Sequence, residues 1–466
     1  MAGIITDQGP LHRAGAQSPS CSLRVQEWFT VTKHLLYIAW GFAPARTGGV
    51  YRAVATANAF VEAGWKVTVL AAPEDSYERY IGVDMSMNDA VDPRVNVVRV
   101  PFTWATQETD VREFSRARAY LGSRSYNRIR SRLDRIPFPE HNYGQWRGAL
   151  EDAVEKVHAE DPVDLTIATA NPNVDFQGAY HLNRKAGVPF VMDYRDGWRL
   201  DVFDGGYLFP EKSRVARLEK RYLEAAQEAW FVNDAIRVWH QKEYPFAADK
   251  MQVVMNGWDP ALFGEREAAT PPADGPMRFG YLGTITPKVP LESLMKGWTL
   301  AKEQGHLPAD ATLEVGGYLG YFATPRGDLA AVLDAARDAG VTFVGQVHKG
   351  QVRDFYARQD ALVLALGEGR YVTSGKVFEY AATGKPIISV HAPTNDSSNV
   401  LREYPLWTAV PEVTPEAIAT TLGETVTQLK QASAEDYAAA LTFGEALRRD
   451  AQLAPRIDAL ATEVSA

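Results

Sequence analysis

At 466 residues with 46% hydrophobic residues, the chain is long enough for two or three domains with full cores, and it is neither disordered nor fibrous. A formal net charge of -9 argues against a nucleic-acid partner unless basic residues cluster locally. The single cysteine, Cys21, excludes an intrachain disulfide framework and fits a reducing compartment, and no run of about 18 apolar residues predicts a spanning helix. The first 25 residues also lack the apolar centre of a secretion signal, so a cytoplasmic location is expected, with peripheral contact at the inner face of the membrane left open.

In chain order, residues 1–32 are mixed and polar, with Gly, Ser and Pro, and read as a loose tail. Residues 35–40 (LLYIAW) form a continuous apolar run that predicts a first buried parallel strand, and 41–49 is a Pro/Gly loop. Val50, Val54, Ala57 and Val61 then recur at helical spacing until Gly64, and 67–71 is the next strand. This is a right-handed βαβ unit, with its loop at the carboxyl ends of the strands, where open α/β sheets bind ligands. A further strand is expected around 97–100, and the rhythm recurs at 165–168, 190–193 and 229–233. A turn cluster at Asn256, Gly257, Trp258, Asp259 and Pro260 and an Ala/Pro/Gly-rich stretch at 268–276 read as the break between two halves. The second half follows with strands at 278–282, 313–316, 342–344, 361–366 and 386–390. The fold class is therefore α/β, with two Rossmann-like parallel-sheet domains facing across a cleft. They span 33–255 and 256–443, and the last helix, 444–466, is placed to cross back onto the first.

The segment GKVFEYAATGKPIIS, residues 375–389, carries the most chemistry. Thr373, Ser374 and Gly375 allow a polar N-cap and a close backbone approach, so free N–H groups and the helix dipole can face a phosphate, and Lys376 adds a charge of the same sign. Glu379 sits about one turn further in, where its carboxylate can accept hydrogen bonds from the vicinal hydroxyls of a ribose. An ordinary surface helix ending at a glycine is the plain alternative. Three further segments point to the same cleft. Gly48 and Gly49 let the backbone come close to a ligand, or simply make a turn. The loop after residue 282 carries Thr284 and Lys288, a phosphate partner or a solvated lysine. Asp193, Arg195 and Asp196 emerge where an apolar strand ends, to face the cleft or each other.

These pieces resemble a GT-B glycosyltransferase of the family 4 kind, in the bacterial cell-surface polysaccharide branch with D-x-R-D-x-W and G-K-x-F-E-Y segments. Six match in order: Gly48 and Gly49, residues 137–146, VPFVMDYRDGW at 188–198, NGWDPALF at 256–263, FGYLGT at 279–284, and 375–389. The resemblance implies a hexosyltransferase whose C-terminal domain holds a UDP- or GDP-linked sugar and whose N-terminal domain holds a glycan or polyprenyl-linked acceptor. Glu379 would then bind the ribose. Thr373, Ser374, Gly375, Lys376 and Lys288 would hold the diphosphate, and Arg195 would stand near the reacting centre. Gly48 and Gly49 would lie under donor or acceptor. Such enzymes usually retain anomeric configuration, the departing diphosphate taking the acceptor proton, so Asp193 and Asp196 read as orienters of Arg195 or acceptor ligands before bases.

The departures are informative. Many relatives carry a second glutamate at the donor sugar where Tyr371 stands here, and often an arginine at the position of Thr284. No Asp-x-Asp occurs and the nine histidines show no metal-ligand spacing, so no cofactor beyond the nucleotide-sugar substrate is expected. Eight arginines between Arg112 and Arg135, interleaved with Phe114, Tyr120, Leu121, Tyr126, Ile129, Leu133 and Ile136, form an amphipathic basic stretch. It would suit an anionic bilayer or a pair of solvated helices. Two other functions share the architecture: a non-hydrolysing sugar-nucleotide epimerase, and a non-catalytic nucleotide-sugar-binding partner in a polysaccharide complex. A nicotinamide dehydrogenase would need Gly-x-Gly-x-x-Gly after its first strand, which residues 41–49 do not supply.

Overall fold

The computed structural model describes residues 32–260, 264, 269–270, 275–320, 327–367 and 369–464. Nearly all of the expected tail, most of the stretch 268–276 and the last three residues of NGWDPALF lie outside the described residues. The first lobe is built on seven parallel strands: β1 (His34–Ile38), β2 (Lys66–Ala71), β3 (Asn96–Arg99), β4 (Leu165–Thr169), β5 (Phe190–Tyr194), β6 (Glu228–Phe231) and β7 (Met251–Val253). They lie in the order β3-β2-β1-β4-β5-β6-β7. β1, β4 and β5 are buried at every position, because helices cover both faces of a parallel sheet. The helix Val50–Glu62 turns Val50, Val54, Ala57 and Val61 inward, together with Ala53 and Phe60.

The second lobe carries six parallel strands: β8 (Arg278–Leu282), β9 (Thr312–Gly316), β10 (Val341–Gly345), β11 (Ala361–Ala365), β12 (Ile387–Val390) and β13 (Trp407–Ala409), ordered β10-β9-β8-β11-β12-β13. One face of this sheet packs around Trp298, Leu294 and Leu422, the other around Phe355, Phe378 and Tyr380. β7 and β13 have no counterpart among the strands expected from the sequence. Each is three residues long, too short to show a period of its own, and each is held at a sheet edge by its neighbour.

Strand order reverses between β1 and β4 in the first lobe and between β8 and β11 in the second. The loops leaving those strands, 39–49 with 170–173 and 283–290 with 366–374, therefore splay apart and leave a crevice at each sheet's carboxyl edge. The chain crosses between lobes twice, and the crossings bond to each other: Trp258 N–H donates to Leu447 O at 3.1 Å and Arg449 N–H to Trp258 O at 3.0 Å. After the second crossing the helix Arg449–Glu463 buries Leu453, Ile457 and Leu460 in the first-lobe core, and Arg456 pairs with Glu228 at 3.3 Å.

Candidate functional site

In the first lobe, β5 is buried through Tyr194, so Arg195 is the first side chain on that strand's exit able to reach the crevice. Its Nη2 donates to Asn171 O at 2.6 Å and its Nε to Ala170 O, both in the loop that leaves β4. The guanidinium rests on Gly49: a Cβ built there would stand 1.2 Å from Nη1 and 2.3 Å from Cζ. The second glycine of the pair thus supplies the space that Arg195 occupies. Gly48 has open space beside it.

Asp193 does not orient Arg195. It is fully buried, and its two oxygens receive Nε and Nη2 of Arg52, the closest contact being 2.6 Å, while Arg52 Nη1 donates to Val254 O at 2.9 Å. A carboxylate inside a covered strand needs a cation it can bond fully, and Arg52, in the first turn of the helix Val50–Glu62, provides that fork. Asp196 takes the position nearer the crevice. It accepts from Asn171 Nδ2 at 3.0 Å, and burial raises its carboxyl above the ordinary range, with Arg195 opposing. Asp196 lines a cavity of about 620 Å³ with Trp198, Phe203, Phe209, Glu140 and Arg214. Glu140 accepts the N–H groups of Asn173 and Val174 at 2.9 and 2.8 Å, capping the helix Val174–Ala186, and burial pushes its carboxyl up to about 7.

In the second lobe the helix Gly375–Ala382 is capped by Ser374, whose hydroxyl accepts from Lys376 N at 3.3 Å. The N–H groups of Ser374 and Gly375 donate to no acceptor among the described residues and point out of the helix start. Glu379 Oε2 accepts from Lys376 Nζ at 2.7 Å and from the Tyr356 hydroxyl at 2.8 Å, while Oε1 has no donor among the described residues. The carboxylate is therefore oriented by two partners and keeps one oxygen for a ligand. The Tyr51 phenol of the first lobe is raised by burial first, then by the charges of Asp84 and Asp259, with Glu379 adding the smallest contribution. Lys288 is exposed, with Nζ 4.2 Å above the Phe203 ring of the first lobe, and Thr284 is exposed at the end of β8.

Two of the expected donor residues have other partners. The Thr373 hydroxyl donates to Asp396 and accepts from Asn233 Nδ2 at 3.0 Å, so it is not free for a phosphate. Tyr371, expected where relatives bind the donor sugar, lays its ring against Gly205 of the first lobe: a Cβ on that glycine, at φ +77, would meet Tyr371 Cε2 at 3.0 Å. A phenol in place of a carboxylate finds an apolar seat before a sugar hydroxyl. The residues missed in the sequence are Arg52, Tyr356, Asn233 and Asp396. Of these only Asn233 carried a signal, an N-cap residue just before an apolar helical stretch.

Residues 47–257 match the family model described as a glycosyl transferase 4-like domain. No curated protein sequence matches the chain. Among solved structures, a glycosyltransferase from Rickettsia africae superposes with a TM-score of 0.62 at 12% identity, covering 93% of this chain and 99% of that one. The Anabaena protein HepE in complex with UDP gives 0.58 at 13%, covering 92% and 100%. A putative UDP-N-acetylglucosamine 2-epimerase from Listeria monocytogenes gives 0.53 at 9%, covering 93% and 96%. At these identities the likeness is one of fold, and the fold is GT-B.

Proposed function

We propose that the protein is a glycosyltransferase that moves a hexosyl group from a UDP- or GDP-linked donor to a glycan or polyprenyl-linked acceptor in cell-surface polysaccharide synthesis. The observation that carries this reading is the pairing of Glu379 with a helix start whose Ser374 and Gly375 N–H groups have no acceptor among the described residues. Glu379 Oε1 receives the ribose hydroxyls, and the N–H groups with Lys376 and Lys288 hold the diphosphate. The family match over the first lobe and the UDP and UDP-glucose held by Anabaena HepE support the same assignment.

The acceptor hydroxyl oxygen bonds to the anomeric carbon as the bond from that carbon to the diphosphate breaks, and the departing diphosphate oxygen takes the hydroxyl proton on the same face. Configuration is retained. Arg195 and the helix start stabilise the charge that grows on the diphosphate. These fixed positive groups do the work a divalent cation does elsewhere, so the reaction is metal-independent and survives EDTA. Asp196, with Asn171, orients the acceptor in the adjoining cavity.

The acceptor reaches that cavity from a membrane surface. Two helices within Arg116–Asp134, broken at Gly122, expose Tyr120 (91%), Ile129 and Leu133, and Ile136 (64%) follows them. Arg116, Arg124, Arg128 and Arg132 have no acidic partner among the described residues. Apolar side chains ringed by unpaired arginines suit an anionic inner leaflet, and no helix of the described residues is long and apolar enough to cross a membrane.

The test is isothermal titration with UDP, GDP, ADP and NAD, with Glu379→Ala as the control. Micromolar binding of one nucleoside diphosphate, weakened about 10- to 100-fold in the variant, supports the reading, since a charged hydrogen-bond pair contributes roughly 1.5–3 kcal/mol. Binding of none, or of NAD alone, refutes it, and isomerisation of the donor sugar without transfer would identify an epimerase.

A further inference from the structure

One amide of the first lobe grips the segment that leads into the phosphate-facing helix of the second. Asn233 lies two residues past the end of β6 and caps the helix Asp234–Glu243, its Oδ1 accepting from Ile236 N at 2.9 Å. That leaves Nδ2 with two protons, and both go across the cleft: to Tyr371 O at 3.0 Å and to Thr373 Oγ1 at 3.0 Å. Thr373 passes its own proton to Asp396, whose other oxygen accepts from Asn399 Nδ2 at 3.2 Å. The two ends of the relay are buried, Asn233 and Asp396 each 2% exposed, and Thr373 between them is half-buried. Tyr371 and the intervening Val372 pack against the first-lobe core, and Tyr371 fills the space over Gly205.

The chemistry of the chain ends makes this more than packing. Thr373 is one residue before the Ser374 cap and two before Gly375, the groups assigned to the diphosphate. A bidentate hold on residues 371 and 373 fixes the direction in which the Ser374 and Gly375 N–H groups point. The hold exists only when the lobes are together, because donor and acceptors lie in different lobes. On opening, water takes the place of both acceptors, so the two bonds are made and lost together with closure and the contact acts as a two-position device.

We infer that Asn233 is a positioning residue that reports lobe closure to the phosphate-binding turn through Tyr371 O, Thr373 and Asp396, so that the turn is aligned for transfer only in the closed enzyme. The inference rests on the glycosyltransferase reading for its catalytic consequence and on the hydrogen-bond geometry alone for its mechanical one.

The experiment uses the full chain and three variants. Asn233→Ser keeps an oxygen for the helix cap but is too short and has no amide to reach the second lobe. Thr373→Val keeps the shape and removes the hydroxyl. Asn233→Ser/Thr373→Val removes both. Two lost neutral hydrogen bonds correspond to about a ten- to thirtyfold fall in the aligned population, so kcat should fall by about that factor, with nucleotide Kd changed less than about threefold. The double variant should be no slower than the slower single one, because both break the same relay. Amide hydrogen exchange across residues 373–376, measured without ligand, should speed up in every variant while the unfolding midpoint of Asn233→Ser stays near that of the parent. Unchanged exchange and unchanged kcat in Thr373→Val overturn the inference, as does a fall in stability of Asn233→Ser with kcat intact in Thr373→Val, which would leave Asn233 a helix cap only. Faster exchange in the variants of a parent enzyme that itself binds no nucleotide would keep the mechanical latch and sink the glycosyltransferase reading instead.

Discussion

Replacing Gly49 with alanine tests the central geometry with one methyl group. The backbone at this position has φ -74 and ψ -19, a conformation any residue adopts, so the change introduces no strain of its own. An alanine at the helix N-cap costs roughly 0.5–1 kcal/mol, and the stiffer unfolded chain returns about 0.4–1 kcal/mol, so the net stability change is near zero. The cost falls on Arg195 instead. The new Cβ would stand 1.2 Å from Nη1 and 3.0 Å from Nη2, so the guanidinium must leave its seat and give up Ala170 O and Asn171 O. As the mobile end of a half-buried side chain it can do so without disturbing the core. A positioned cation removed from a developing oxyanion slows an enzyme by about 10²- to 10³-fold. Gly49→Ala should therefore lower kcat by about that factor, leave nucleoside diphosphate affinity within about threefold because that site lies in the other lobe, and leave the melting temperature within about 2 °C. Arg195→Ala should do the same, and the double variant should be no slower than Arg195→Ala alone. Steady-state sugar transfer, calorimetric titration and thermal melting measure the three quantities. Full activity in Gly49→Ala, or additive losses in the double variant, would refute the seat.

The two acids flanking Arg195 should behave oppositely. Asp193→Ala leaves Arg52 buried without its counter-ion and should cost about 3–5 kcal/mol in urea unfolding, whereas Asp196→Ala, which frees only Asn171, should cost under about 1 kcal/mol and lower turnover; the reverse ranking would return Asp193 to the crevice. Glu140 is held up to about 7 against an ordinary 4.5. Between those values the folded chain keeps a proton that the unfolded chain releases, so this group's contribution is full below about pH 4.5 and is lost as pH rises through 7. Glu140→Ala should then destabilise more at pH 5 than at pH 8, and the opposite order would mean that the helix cap outweighs burial. Vesicles containing phosphatidylglycerol should bind the parent protein and release it in high salt. Arg124→Glu/Arg128→Glu/Arg132→Glu should bind about 100-fold more weakly, at about 1 kcal/mol for each arginine lost near the surface, and equal binding would remove the membrane from the account.

The strands were legible because a parallel sheet covered on both faces must be apolar throughout. LTIA at 165–168, FVMD at 190–193 and ALVLAL at 361–366 each fall within a residue or two of the ends of β4, β5 and β11. The same rule says nothing of β7 or β13, where three residues at a sheet edge are ordered by β6 and β12 rather than by their own pattern. Nor could it place the break in the arginine-rich helices, since Gly122 at φ +70 looks in sequence like any glycine in a helical stretch.

The site divides along a similar line, between what a residue type can do and which partner it meets. A glutamate one turn into a glycine-led helix is a local arrangement, and the sequence therefore shows Glu379, Ser374, Gly375 and Lys376 in working relation. Asp193 and Thr373 are as polar as Asp196 and Ser374 and stand beside them, yet their partners, Arg52 and Asn233, are 141 and 140 residues away. Nothing local distinguishes a carboxylate that will meet a ligand from one that will meet an arginine on another element. What does distinguish them is strand position: Asp193 lies inside β5 and Asp196 beyond its end. A charge inside a strand covered on both faces must be neutralised by the protein, because no ligand can reach it, while one past the carboxyl end faces the crevice. Applied to Asp193-Tyr194-Arg195-Asp196, that rule assigns the first acid to the frame, as its bonds to Arg52 do, and leaves the last two charges beyond the strand, where the proposed chemistry uses them.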